Sequence, residues 1–136
     1  MGPRRLLNRN KRVGSIAFEA LLVVPVLLLI IAALVEFALV VSAEQKLAEA
    51  SGLAARVGST GRSEDDIKQA VKTVLGTKQY ERATVYTQRR NDPHTGSVIE
   101  VRVELPAKVV SLNLLHSIGL DLSGETLTGR TVMRME

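Results

Sequence analysis

The sequence predicts an α+β fold: a long N-terminal transmembrane helix continuing into a small exported domain with a second helix and an antiparallel sheet of about three strands. Three observations predict it. No charged residue lies between Ala20 and Val35, and low polarity continues past Glu36 to Ala43. At about 1.5 Å of rise per residue, roughly 20 such residues cross the hydrocarbon of a bilayer. From Tyr80 onward the apolar residues change from a spacing of three and four to one of two, the mark of strands. Finally, there is no cysteine, so packing or partners, not disulfides or thiolate metal sites, must hold the exported part together.

The first helix should outrun the membrane. Beyond Ala43, Leu47, Ala50, Leu53 or Ala54, and Val57 recur at helical spacing between Glu44, Gln45, Lys46, Glu49 and Arg56, which is an amphipathic pattern. A helix from about Ser15 to about Val57 follows, stopped by Gly58-Ser59-Thr60-Gly61. Pro25 removes one of its hydrogen bonds and favours a bend. The next helix spans 63 to 75. Ser63 stands as N-cap, Glu64, Asp65 and Asp66 complement the helix dipole, Ile67, Ala70, Val71, Val74 and Leu75 share a face, and Gly76 ends it.

Strands come next. Ile99, Val101, Val103 and Leu105 alternate with Glu100, Arg102 and Glu104, giving a strand over 97 to 105 with one buried face. Residues 83 to 89 are its hairpin partner through the turn-rich Asn91-Asp92-Pro93-His94-Thr95-Gly96. A third strand over 126 to 135 places Leu127, Thr131, Met133 and Met135 on one side. Between the second and third strands, Val109, Val110, Leu112, Leu115 and Ile118 suggest a short apolar helix or a packed loop.

Charge sets the orientation. The net charge is +4, but Arg4, Arg5, Arg9, Lys11 and Arg12 precede position 15 with no acid among them. The remaining 13 basic residues face 14 acidic ones, a balance of −1. The basicity is therefore leader charge that holds the N-terminus in the cytoplasm by the positive-inside rule, and no nucleic-acid-binding surface is expected. The resulting divisions are a basic leader, 1–14, a transmembrane helix, 15–43, and an exported α+β domain, 44–136.

The junction Lys11-Arg12-Val13-Gly14-Ser15-Ile16-Ala17-Phe18-Glu19 carries the functional signal. A lone carboxylate at the start of an apolar helix needs a reason, since a charge deep in the bilayer costs about 2.5 to 3.5 kcal/mol on insertion scales and less near an interface. The junction resembles the class III signal of type IV pilins, in which a prepilin peptidase cuts after a glycine and a glutamate is retained at the fifth mature position. The segment from Gly14 to about Val57 resembles more closely a TadE-like pseudopilin of the tight-adherence (Flp) pilus system. Gly14 to Glu19, the run interrupted by Pro25, and the pair Glu36-Phe37 carry that resemblance, and the last strand, ending Thr131-Val132-Met133-Arg134-Met135-Glu136, is also similar to that family's. One departure is Ala20, where an aromatic usually follows the glutamate; Phe18 precedes it here.

The resemblance implies a minor pseudopilin, cleaved between Gly14 and Ser15, in which Glu19 neutralises the freed amine of a neighbouring subunit. Phe18, Pro25, Glu36 and Phe37 would join it in assembly. It implies, as partners, a prepilin peptidase, sister pseudopilins, assembly-platform proteins and membrane lipid, at a bacterial inner membrane with the domain periplasmic, or incorporated into an extracellular pilus. The competing expectation is an uncleaved anchored scaffold of a secretion or envelope complex. Val41-Ser42-Ala43 also fits a signal-peptidase site, but the apolar region before it is longer than the usual 7 to 15 residues. For Glu36 itself, two contacts are open: snorkelling to the outer interface, or a polar contact with a partner helix.

Nothing favours an enzyme. His94 sits in a turn and His116 in an apolar segment, neither with acidic or cysteine neighbours at metal-ligand spacing. No phosphate loop or nucleophile elbow is present. Neither a cofactor, a metal nor a small-molecule substrate is expected.

Overall fold

A computed structural model describes residues 10–93, 96–122 and 124–136, with the backbone alone for residues 10–16 and 92. The long helix α1 covers Asn10–Ser59, 50 residues, or about 75 Å. It therefore begins five residues before the expected start, and it runs through Pro25 without interruption. Its end is as expected: Gly61 takes φ +75° and donates its N–H to the Gly58 carbonyl, a reversal that favours glycine.

Helix α2, Glu64–Leu75, is capped by Ser63, whose Oγ accepts from the Asp66 N–H at 3.2 Å. It buries Ile67, Ala70, Val71 and Leu75. Gly76, at φ +76°, leads into a one-turn helix, α3, Thr77–Tyr80, which the sequence reading did not anticipate.

Strands β1 (Thr84–Asp92), β2 (Gly96–Pro106) and β3 (Thr126–Arg134) form an antiparallel sheet in the order β1-β2-β3. The first two extend further than the sequence suggests, because the hairpin pairs right up to Asp92 opposite Gly96. Ile99, Val101, Val103 and Leu105 point into the core as their alternation requires. They meet Leu47, Ala50, Ala54 and Ala55 of α1 and Ile67 and Val71 of α2.

Small residues let the sheet lie close on α1. A Cβ on Gly129 would collide with the Leu47 backbone carbonyl, and one on Gly58 with the Ile99 side chain. One turn beyond Leu47, the Ser51 and Thr131 hydroxyls share a 2.8 Å hydrogen bond. At the far end of α1 the Glu136 N–H donates to the Ser59 carbonyl. The β1–β2 turn thus lies toward the end of α1, and the long β2–β3 connection lies toward its apolar part.

Where a short apolar helix or a packed loop was expected, that connection is a loop packed only in part. Short 3-10 turns at Ala107–Val109 and His116–Ile118 punctuate it. Val109, Val110 and Leu115 are half-buried, while Leu112 and Ile118 are exposed.

Candidate assembly and anchoring site

The apolar part of α1 divides in two. From Ala17 to Ile31 every residue is exposed; from Ala32 onward one face is covered. The helix from Ala17 is long and apolar enough to cross a membrane, and beyond Glu19 its bare portion has only hydrocarbon side chains to offer a surrounding medium. Glu19 and Phe18, the latter 65% exposed, stand at the base of this portion.

Arg4, Arg5 and Arg9 lie outside the described residues, as does His94. Lys11, Arg12, Gly14 and Ser15 lie within the helical backbone, so the Gly14–Ser15 bond sits inside a turn of helix. Pro25 is in the bare portion, and Phe37 is 68% exposed near the other end.

Glu36 behaves differently from Glu19. It is only 2% exposed, and it finds its polar contacts within its own chain. The Ser111 hydroxyl and the Asn113 N–H (3.0 Å) donate to its Oε1, and the Leu115 N–H (3.3 Å) donates to Oε2. The backbone makes this possible. Asn113 adopts φ +56°, a left-handed conformation that asparagine tolerates better than most residues. Backbone amides turned inward in this way form a concavity that suits an anion. The carboxylate of α1 fills it, which gives a buried charge the donors it needs.

These receiving residues were missed from the sequence. Ser111 and Asn113 do interrupt an otherwise apolar run, and a lone carboxylate in an apolar helix needs donors somewhere; only the fold shows that the two meet, 75 to 79 residues apart.

A second polar cluster lies on the outer sheet face. Arg130 holds Glu100 with two bonds, Nε to Oε1 at 2.7 Å and Nη2 to Oε2 at 3.1 Å, while Arg102 Nη2 reaches Oε1 at 3.3 Å. The Arg130 guanidinium, with help from Arg102, holds the Glu100 carboxyl below its ordinary range. Every member of this cluster has its opposite charge satisfied within the sheet, so it reads as cross-strand support. Among the described residues no three His, Asp or Glu side chains gather into a group able to hold a metal.

Comparison with curated proteins and with solved structures gives no match. A family model described as TadE-like protein matches residues 14–56. This segment takes in most of α1: the bare apolar portion, Glu19 and Glu36, and the turns that the sheet covers. Over these residues, most of the long helix on which the domain is built, the chain is similar to TadE-like proteins.

Proposed function

We propose that the chain is a minor pseudopilin of a Tad/Flp-type pilus. It is inserted with its N-terminus cytoplasmic and its α+β domain periplasmic, cleaved after Gly14 by a prepilin peptidase, and passed to the assembly machinery and sister pseudopilins. The observation that carries this reading is the uncovered helix from Ala17 to Ile31 with Glu19 at its base, within a segment that is TadE-like from Gly14 onward. A helix bare on every side is suited to packing among other helices, and a lone carboxylate there is suited to a partner's amine.

The mechanism follows from charge. Cleavage replaces a peptide bond with a cationic α-amino group at Ser15. As subunits gather, Glu19 of one neutralises the amine of another. Once desolvated, such a pair tolerates loss of one member poorly, at about 3 to 5 kcal/mol. Glycine at the scission point helps, because a helical Gly is about 1 kcal/mol less favourable than Ala, which eases local unwinding for the peptidase. A second reading, an uncleaved anchored scaffold, is favoured by the continuity of α1 from Asn10 across the Gly14–Ser15 bond.

N-terminal sequencing of membrane-isolated protein separates them: Ser15 as first residue supports the pseudopilin, Met1 the scaffold. Glu19→Ala then tests the mechanism. Mature Glu19→Ala protein is expected to be inserted and cleaved normally but to lose co-purification with pilus components by a hundredfold or more. Undiminished co-purification of the cleaved variant would refute the pairing.

A further inference from the structure

The β2–β3 connection presents a second apolar surface, separate from the bare helix. Leu112, Leu114, Ile118 and Leu120 are all exposed, with Leu112 at 61% and Leu120 at 57%. They are held in a set conformation. Gly119 (φ +84°) reverses the chain so that the Leu120 N–H returns to the Leu115 carbonyl, and Asn113 accepts from the His116 N–H.

Two features place this surface at the bilayer. The first is height along α1. Glu36, which binds the loop at Ser111, Asn113 and Leu115, lies 17 residues beyond Glu19, or about 25 Å at 1.5 Å per residue. A hydrocarbon core is about 30 Å thick. With Glu19 near one boundary, Glu36 and its loop stand at or just inside the other. Partial burial along α1 starts lower still, at Ala32.

The second feature is polar satisfaction. Backbone amides near lipid need partners inside the protein. The N–H groups of Asn113, Leu115, His116, Ile118, Gly119 and Leu120 all have acceptors within the chain. A water-facing loop has less need of such internal pairing, and three outward leucines and an isoleucine would be costly in water.

We propose that residues 111–120 form a membrane-docking loop. It inserts Leu112, Leu114, Ile118 and Leu120 among the acyl chains of the leaflet nearest the domain, and Glu36 fastens it to α1. The occupant is lipid because Glu36 holds the loop's apolar surface at the far end of the apolar run of α1, the height at which a bilayer boundary falls. The loop fixes the tilt of the domain against the membrane: one anchor alone would leave helix and head free to turn and tilt together, whereas two contacts define their pose. The proposal rests on anchoring by α1 and not on leader cleavage or pilus membership.

The chain has no tryptophan, so single-tryptophan variants report cleanly. Full-length L112W and I118W are reconstituted in phosphatidylcholine–phosphatidylglycerol vesicles, with and without brominated acyl chains. L27W, on the bare helix, controls for insertion, and Y86W, on the exposed sheet, controls for a site away from lipid. The expected result is blue-shifted emission from L112W and I118W and a loss of intensity in brominated lipid comparable with that of L27W, while Y86W is unaffected. Quenching of L27W without quenching of either loop variant would overturn the docking loop and leave the anchor standing. Blue-shifted loop emission insensitive to brominated lipid would also overturn it, pointing to cover by a second protein surface. Absence of quenching at L27W would overturn the anchor and the docking loop together.

Discussion

Two stretches of α1 make the same backbone and opposite use of it. Residues 17 to 31 are exposed on all sides, whereas Ala43, Leu47, Ala50, Ala54 and Ala55 are buried beneath the sheet and α2. The bare stretch is rich in Leu, Val and Ile; the covered one is rich in Ala, with Gly129 and Gly58 at its closest approaches. Large side chains suit a fluid surround that adapts to them. Small ones suit a neighbouring sheet that must come within backbone contact. The difference teaches that hydrophobicity alone does not say what will cover a helix; side-chain size helps to say it.

The sharpest way to break that contrast is to enlarge the covered side. Gly129→Ala drives a Cβ into the Leu47 backbone carbonyl, which cannot swing aside as a side chain would. A loss of about 1 to 3 kcal/mol is expected, read by denaturant unfolding of the purified protein in detergent, with membrane insertion unchanged. An unaltered midpoint would show that the sheet does not sit on α1 this closely.

Next comes the boundary between the two stretches. Glu36→Ala takes away the acceptor of the Ser111 hydroxyl and of the Leu115 amide, and one of the two acceptors of the Asn113 amide, and donors left without partners in a partly buried site are costly. The expected outcome is a lower melting temperature together with rapid proteolysis between 111 and 120 in detergent. Glu36→Gln, which keeps one accepting oxygen, should fall between wild type and alanine. Equal protease resistance in all three would mean that Glu36 does not hold the loop.

A smaller effect is expected on the outer sheet face. The Glu100 carboxyl is held below its ordinary range, first by Arg130. A group depressed on folding contributes stability that is present above its unfolded value, about 4.3 for glutamate, and is lost as pH falls through the lower folded value. Wild type should therefore lose slightly more stability than Glu100→Gln between pH 5 and the acid limit, a difference shrinking in high salt because the pair is solvent-facing. Parallel pH profiles would remove the pair from the account. Smallest of all, Leu27→Ala in the bare stretch should leave the domain's unfolding within about 0.5 kcal/mol of wild type. A larger shift would mean that the two stretches are not independent.

Much of this was legible in advance, and the reason is periodicity. The capped helix at 63 to 75 and the alternating strand from Ile99 to Leu105 state their geometry within a single turn or repeat, so local residues suffice. The boundaries of β1 and β2 came out short because Asn91 and Asp92 read as turn residues, yet they pair with Ser97 and Gly96. Helix α3 is one turn long, below the length at which a period can be recognised. The segment after Pro106 was least legible. Its leucines carry no regular spacing, and what organises them is a carboxylate on a distant helix. The lone acid at Glu36 and the polar breaks at Ser111 and Asn113 were each visible, but a pairing across more than 70 residues leaves no local signature.

The hydrogen bond between Ser51 and Thr131 spans 80 positions of the chain, and this has a consequence for the order of events during synthesis. Protein is made from the N-terminus, so the outer half of α1 is finished long before the strand that lies on it. Until β3 is made, Leu47 and its alanine-lined face remain uncovered. Closing so distant a contact is also slow compared with winding a helix. A nascent chain stopped before Thr126 would thus carry an open apolar seam along α1, as exposed to proteases as any unpaired core face. Only chains translated through β3 can close the head over that face.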